Sequence, residues 1–373
     1  MKGFLKILAV AVLTLMVLAG TLAAQNIRIV CIVTALTGSV AQNGEYITRG
    51  INMALDEINA KGGVGGRRLE VVFLDDQAKA SEAINAVKKA IYDLNTPVIL
   101  GSDWSGLVLA SMQIAADEGI PQLVTATNVQ ITSQGIPTIF RLRANDSVAA
   151  EILAKYVNDQ GYKKIGIMFT NEDYGRGFAD ETGNYLAKLD NKPAVIESCN
   201  LGDSDFTAQI LSFKNSGVDA ILALGKEIEL AKFLRQTREL GVDTPVFGGS
   251  PMGLDYVVEL AGGAMEGVRI VTHFLPTDPE PRIQDWVRRY EALYNGQEPT
   301  THALAYYDAV HLVAKVMEEY GTSPQDIARG LREVNYQGVQ SWFRGSPTGD
   351  LVNKQVIGEF KDGKWHVVAV LGD

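Results

Sequence analysis

Residues 96–119 read TPVILGSDWSGLVLASMQIAADEG. An apolar run stops at Gly101, Ser-Asp-Trp-Ser-Gly intervenes, and apolar residues then return at helical spacing. A short, uninterrupted apolar run of this kind reads as a strand buried on both faces, here feeding directly into a helix. One glycine suffices for a tight turn. The added hydroxyls and Trp104 therefore indicate a loop with a second task.

The same strand–loop–helix unit recurs on both sides. Upstream, IRIVCIVT is a β-branched apolar run, followed by a helical stretch in which Ile47, Ile51, Leu55 and Ile58 share one face. That helix is predicted to stop at Gly62-Gly63. RLEVVFLDD is the next strand, and SEAINAVKKAIYDL the next helix, with Ser81 as its expected N-cap. IPQLVTAT continues the alternation. The pattern then restarts with SVAAEILAKYVNDQG and KKIGIMFTN and runs through AVIESCNL, DAILALG, TPVFGG and VRIVTHFLP. Three helical stretches follow, and the tail VIGEFKDGKWHVVAVL is predicted to be a hairpin turning at Asp362-Gly363. Strands that are apolar throughout, alternating with helices, imply an α/β fold with parallel sheets covered on both faces. Two such units without a low-complexity linker imply two lobes joined by short crossovers. About 350 residues after the leader is also more than one core usually holds.

The first 24 residues read as a secretory signal peptide: Lys2 and Lys6, an apolar core from Ile7 to Leu18, and small residues with cleavage after Ala23 or Ala24. The apolar core is shorter than a membrane span. Without the two leader lysines, 32 basic residues face 44 acidic ones, a net charge of −12. An acidic exported chain with no basic cluster is a poor nucleic-acid binder. Cys31 and Cys199 each lie in an apolar strand and read as buried free thiols. His273, His302, His311 and His366 show no metal-ligand spacing, so no metal site is expected.

In an open parallel sheet, ligands bind beyond the carboxyl ends of the strands. Six loops occupy that position: TALTGSVAQNGEY, the loop at 101–106, TATNVQIT, TNEDYG, ALGKE and FGGSPMG. All carry small, hydroxylic or aromatic residues, which suggests a cleft built from loop tips. Enzyme signatures are missing from these loops. GGVGGR fails the dinucleotide G-x-G-x-x-G pattern, because Arg68 stands at the third glycine and the segment leads from a helix into a strand. No G-x-S-x-G elbow occurs, and no cofactor motif emerges.

The leader, GSVAQNGEYITRGINMALDEINAKGGVGGRRLEVVFLDD, DEGIP, NEDYGRGFA and FLRQTRELG together resemble the periplasmic binding proteins for leucine, isoleucine and valine. These are the substrate-binding subunits of ABC importers of the branched-chain amino acid and amide type. The resemblance implies the type I periplasmic binding protein fold, two Rossmann-like lobes joined by three crossover segments. The first lobe would take 25–144 and 274–352, and the second 145–273 and 353–373. It further implies a monomeric periplasmic protein, with no catalysis, that hands its ligand to a membrane permease. A DNA-binding repressor of the same architecture would carry a basic helix pair where this chain has its leader.

Carried over residue by residue, the resemblance gives the loop at 101–106 its task. Ser105 matches a serine whose hydroxyl, with N–H groups at the helix start, holds the ligand's carboxylate. Trp104 would form an apolar wall, or serve simply as a core residue. Ala126 and Thr127 match a backbone and hydroxyl pair, with Asn128 as the alternative register. Tyr174 matches a tyrosine closing over the ligand. Two positions depart from the family. Ser250 stands where relatives carry an acid for the ligand's ammonium, and Lys226 stands where they carry an aromatic residue. Asp103 or Glu227 could replace the lost acid. Two ligand classes therefore remain open: a branched-chain or hydrophobic amino acid, and a carboxylate without an α-amino group (aromatic, keto or dicarboxylic) or an amide.

Overall fold

The computed structural model describes residues 26–372, so the expected leader and its cleavage point lie outside the described residues. The chain first builds five parallel strands: β1 (Ile27–Val33), β2 (Leu69–Asp75), β3 (Ile99–Leu100), β4 (Gln122–Val124) and β5 (Ile139–Arg141). They lie side by side in the order β2-β1-β3-β4-β5. β6 (Ile165–Thr170), β7 (Val195–Cys199), β8 (Ala220–Leu224), β9 (Val246–Gly248) and β10 (Arg269–Thr272) repeat this arrangement as β7-β6-β8-β9-β10, again parallel. A small ribbon, β11 (Asn335–Gln337) with β12 (Trp342–Arg344), precedes β13 (Gln355–Lys361) and β14 (Lys364–Leu371). The last two strands extend the second sheet antiparallel beyond β10. Asp362 and Gly363 turn this hairpin with φ of 52° and 78°, as the Asp-Gly pair predicts.

Helices cover both sheets for the reason legible in the sequence. In the helix Ala41–Ala60, Ile47 and Ile51 are fully buried and Ile58 nearly so. This helix crosses Thr301–Tyr320 so closely that a Cβ on Gly50 would sit 2.0 Å from the Ala303 carbonyl oxygen. It ends as predicted, with the N–H of Gly63 returning to the Ile58 carbonyl at 3.0 Å. The next helix does not follow the expectation of a Ser81 cap. It begins at Ala80, with Lys79 as N-cap and no side-chain cap bond, so Ser81 lies inside the first turn. The cause is the turn ahead of it, where the N–H of Lys79 reaches the Asp76 carbonyl at 2.9 Å and starts the helix early.

The chain crosses between the sheets three times: after β5, after β10 and after β12. Buried ion pairs tie these crossings together. Arg141 Nε meets Asp350 Oδ1 at 2.7 Å, and Lys354 Nζ meets Asp278 Oδ2 at 3.1 Å. Cys31 and Cys199 are free and buried in different sheets. No helix among the described residues is long and apolar enough to cross a membrane.

Candidate functional site: the cleft between the sheets

A strand order of 2-1-3-4-5 reverses direction between β1 and β3, and again between β6 and β8 in the second sheet. Such switch points leave a crevice beyond the strand ends. Loops leaving both sheets meet there and line one cleft. The first sheet supplies Asp103 and Trp104 after β3, Thr125 and Thr127 after β4, and Arg143 after β5. The second supplies Tyr174 after β6, Lys226 and Glu227 after β8, Ser250 and Pro251 after β9, and Val271 and His273 at β10. Asp146, Ala149 and Phe178 add to the wall from helices, and His302 from the first turn of Thr301–Tyr320. The cavity volume is ≈ 50 Å³, room for about four waters. That scale suits a small metabolite.

Hydrogen bonds build the floor. Ser102 Oγ accepts the N–H of Trp104 at 3.2 Å, and the Thr34 hydroxyl joins Ser102 to the buried Asp76 carboxylate. This chain fixes the backbone that presents Asp103 and Trp104. Asp103 Oδ2 lies 3.0 Å from His302 Nε2, while its Oδ1 is buried without a hydrogen-bond partner among the described residues. Burial alone would raise the Asp103 carboxyl. The His302 hydrogen bond and the charges of His302, Lys226 and Arg143 outweigh it and hold the group below its usual value. Burial pushes Asp146 up to about 7, and one of its oxygens, Oδ2, is likewise unpartnered. His273 is driven well below the ordinary histidine value by burial and by the Arg143 charge, so it stays neutral.

The cationic side is as distinctive. Lys226 is buried, with Nζ 4.0 Å from the Trp104 ring centroid and 5.3 Å from that of Tyr174. Arg143 is 5 % exposed, and its Nε and Nη2 have no hydrogen-bond partner among the described residues. The cleft thus gathers buried positive donors, buried carboxylate oxygens and apolar surface. It has the inventory for a small polar molecule with an apolar part. No group of three or more His, Cys, Asp or Glu among the described residues is placed to hold a metal ion.

Of the residues singled out from the sequence, Trp104, Thr127, Tyr174, Lys226 and Ser250 meet in this cleft. Ser250 Oγ donates to Thr272 Oγ1 at 2.9 Å. Ser105 and Ala126 are buried just behind the lining. Ser105 Oγ accepts the N–H of Asn128 at 3.3 Å, and the Ala126 carbonyl accepts from Arg141 Nη1 at 3.3 Å. Five of the six loops expected at strand ends line the cleft. The first, after β1, instead sends Asn43 across to the second sheet's helices. Asn43 donates to Glu227 Oε1 and accepts from the Tyr256 hydroxyl, both at 3.3 Å. Sequence reasoning missed Arg143, Asp146, His273 and His302. The rule about strand ends would have found Arg143 had FRLRAN been read as a strand and its exit. His302 opens a helix and gave no comparable signal.

Known proteins share this organisation. A family model described as periplasmic binding protein matches residues 27–364. A leucine-, isoleucine-, valine-, threonine- and alanine-binding protein of Pseudomonas aeruginosa is 30% identical over 350 residues, 93% of this chain and 91% of that protein. A Leu/Ile/Val-binding protein homologue of Brucella suis is 29% identical over 304 residues, 80% of each chain. Among solved structures, a leucine-binding protein from Thermotoga maritima superposes with a TM-score of 0.85 at 26% identity, covering 93% of this chain and 99% of that one. A branched-chain amino acid transporter substrate-binding protein from Streptococcus pneumoniae, in complex with isoleucine, gives the same four values. Two α/β lobes that share a cleft at their switch points, matched almost end to end by the family model, place the chain: it belongs to the periplasmic binding protein family.

Proposed function

We propose that this protein is the periplasmic substrate-binding subunit of an ABC importer. It takes a branched-chain or hydrophobic amino acid into the cleft and delivers it, as a monomer and without chemical change, to the membrane permease. The observation that carries this reading is the set of unmet polar atoms in the cleft. Buried donors on Arg143 and buried acceptors on Asp103 and Asp146 share one small space with Trp104, Phe178 and Val271. Unmet donors and acceptors side by side suit the carboxylate and ammonium of a zwitterion, and the apolar wall suits its side chain. In this reading Trp104, Thr127, Tyr174, Lys226 and Ser250 contact the ligand, and Ser105 and Ala126 shape the wall behind them.

The two lobes are 25–144 with 274–352 and 145–273 with 353–373, and they close by rotation at the three crossings. A second reading, a carboxylate without an α-amino group or an amide, is favoured by Lys226, a buried cation held over Trp104. Calorimetric titration with leucine, isoleucine and valine against their keto acids and simple aromatic acids separates the two. The amino acids should bind more tightly, and small-angle scattering should show a smaller radius on binding. Preference for the acids, weakened by Lys226→Ala, would establish the second reading.

A further inference from the structure

Two arginines stand two residues apart where the chain leaves β5, and both are buried. Arg141, fully buried, has every side-chain nitrogen occupied. Nε meets Asp350, Nη1 donates to the carbonyls of Ala126 and Asn128, and Nη2 donates to Thr132 Oγ1. Arg143 is the opposite case. It lines the cleft, and its Nε and Nη2 donate to no group among the described residues. Asp103 is the acidic charge that bears on it, yet Asp103 keeps one oxygen on His302. Burial depresses the guanidinium pKa, although arginine stays charged. A buried charge with unmet donors is among the costliest features a fold can keep, and it is rarely kept without a partner in the functional state.

The identity of the two unmet donors is informative. Nε and Nη2 form one edge of the planar guanidinium, the edge whose parallel N–H groups match the two oxygens of a carboxylate. We infer that Arg143 holds the ligand's carboxylate through this edge, a role the family resemblance had assigned to Ser105. Ser105 Oγ accepts the Asn128 N–H, and Ser105 stands behind the residues that line the cleft rather than among them. The assignment rests on the reading of the cleft as the ligand site, and it holds for an amino acid and for a simple carboxylic acid alike. It also ties binding to the crossing itself, because Arg143 is two residues from the Arg141–Asp350 pair joining the first and third crossings.

The test uses four probes that share the leucine side chain: leucine, 4-methyl-2-oxopentanoate, leucinamide and 3-methylbutylamine. Each is titrated calorimetrically into the wild type, Arg143→Met and Arg143→Lys. Wild type should bind the carboxylates more tightly than leucinamide and the amine. Arg143→Met should lose roughly 10- to 100-fold for the carboxylates, with leucinamide unchanged. Arg143→Lys, a point charge, should recover only part. Ligand-free Arg143→Met should melt close to wild type, since no hydrogen bond to Nε or Nη2 is lost and Asp103 keeps His302 and Lys226. Wild-type affinity for leucine in a folded Arg143→Met would overturn the assignment, as would equal losses for leucine and leucinamide. Should Arg143→Met fail to fold, leucine binding no better than leucinamide to the wild type overturns it equally. If only the keto acid binds, and Arg143→Met abolishes it, the amino-acid reading falls and Arg143 stands. If no carboxylate binds the wild type, both fall.

Discussion

Gly177→Ala should separate lobe closure from fold stability. Gly177 lies in the helix Asp173–Lys188, which follows β6 in the second sheet. A Cβ there would stand 2.6 Å from Asn128 Nδ2 and 3.4 Å from Asn128 Cγ, on the loop after β4 of the first sheet. Asn128 must therefore retreat by about 0.8 Å to reach ordinary contact. It cannot do so freely. Its Nδ2 donates to the Asp173 carbonyl at 2.6 Å, its Oδ1 accepts from the Gln130 N–H at 2.9 Å, and its own N–H is held by Ser105. Losing the bond to Asp173 strands a buried donor, at about 1–3 kcal/mol. That penalty applies only while the lobes touch. In the helix itself alanine is better than glycine by up to about 1 kcal/mol. Leucine affinity by calorimetry should fall roughly 5- to 150-fold, while the ligand-free melting temperature holds or rises. Affinity within twofold of wild type would refute the argument. A fall in both quantities would mean that the contact is core packing rather than closure.

Asn43→Ala removes two further contacts between the sheets' helices, both long at 3.3 Å. At about 2 kcal/mol for the pair, affinity should weaken roughly 30-fold for every ligand alike, with the loss in dissociation rate by stopped flow; a change in ligand selectivity would count against it. Asp350→Ala leaves buried Arg141 without its carboxylate, and urea unfolding should show a loss of about 3 kcal/mol, the lower end for a broken buried pair because Arg141 keeps its other bonds. Asp146 titrates near 4 in an unfolded chain and is pushed up to about 7 in the fold. Between those values the folded state holds the proton that the unfolded state releases, so its contribution to stability falls as pH rises from about 4 to about 7 and is level above. Asp146→Asn should cancel that slope and raise stability at pH 7 by a few kcal/mol; an unchanged difference from wild type between pH 5 and 8, without ligand, would contradict it.

Much of this protein is legible in one dimension. Apolar runs alternating with amphipathic helices dictate parallel sheets, since a strand buried on both faces has nowhere to place a polar residue. The carboxyl-end rule points to the loops that carry Trp104, Thr127, Tyr174, Lys226 and Ser250, because a loop at a switch point faces the crevice whatever its residues are, and the resemblance to the family picks those residues out within the loops. The division of labour inside the cleft was not legible. Arg141 and Arg143 stand at i and i+2, on the same side of an extended chain, so strand periodicity cannot tell them apart. What separates them is Asp350, 209 residues away, which reaches Arg141 and leaves the edge of Arg143 open. Asp103 is likewise held by His302, 199 residues distant, and Ser105 is turned inward by Asn128 across a fold of the chain. Local sequence sets which backbone groups pair and which faces are apolar. Which buried charges find partners is decided through space, where the strength of an ion pair depends on distance and burial and not on position in the chain.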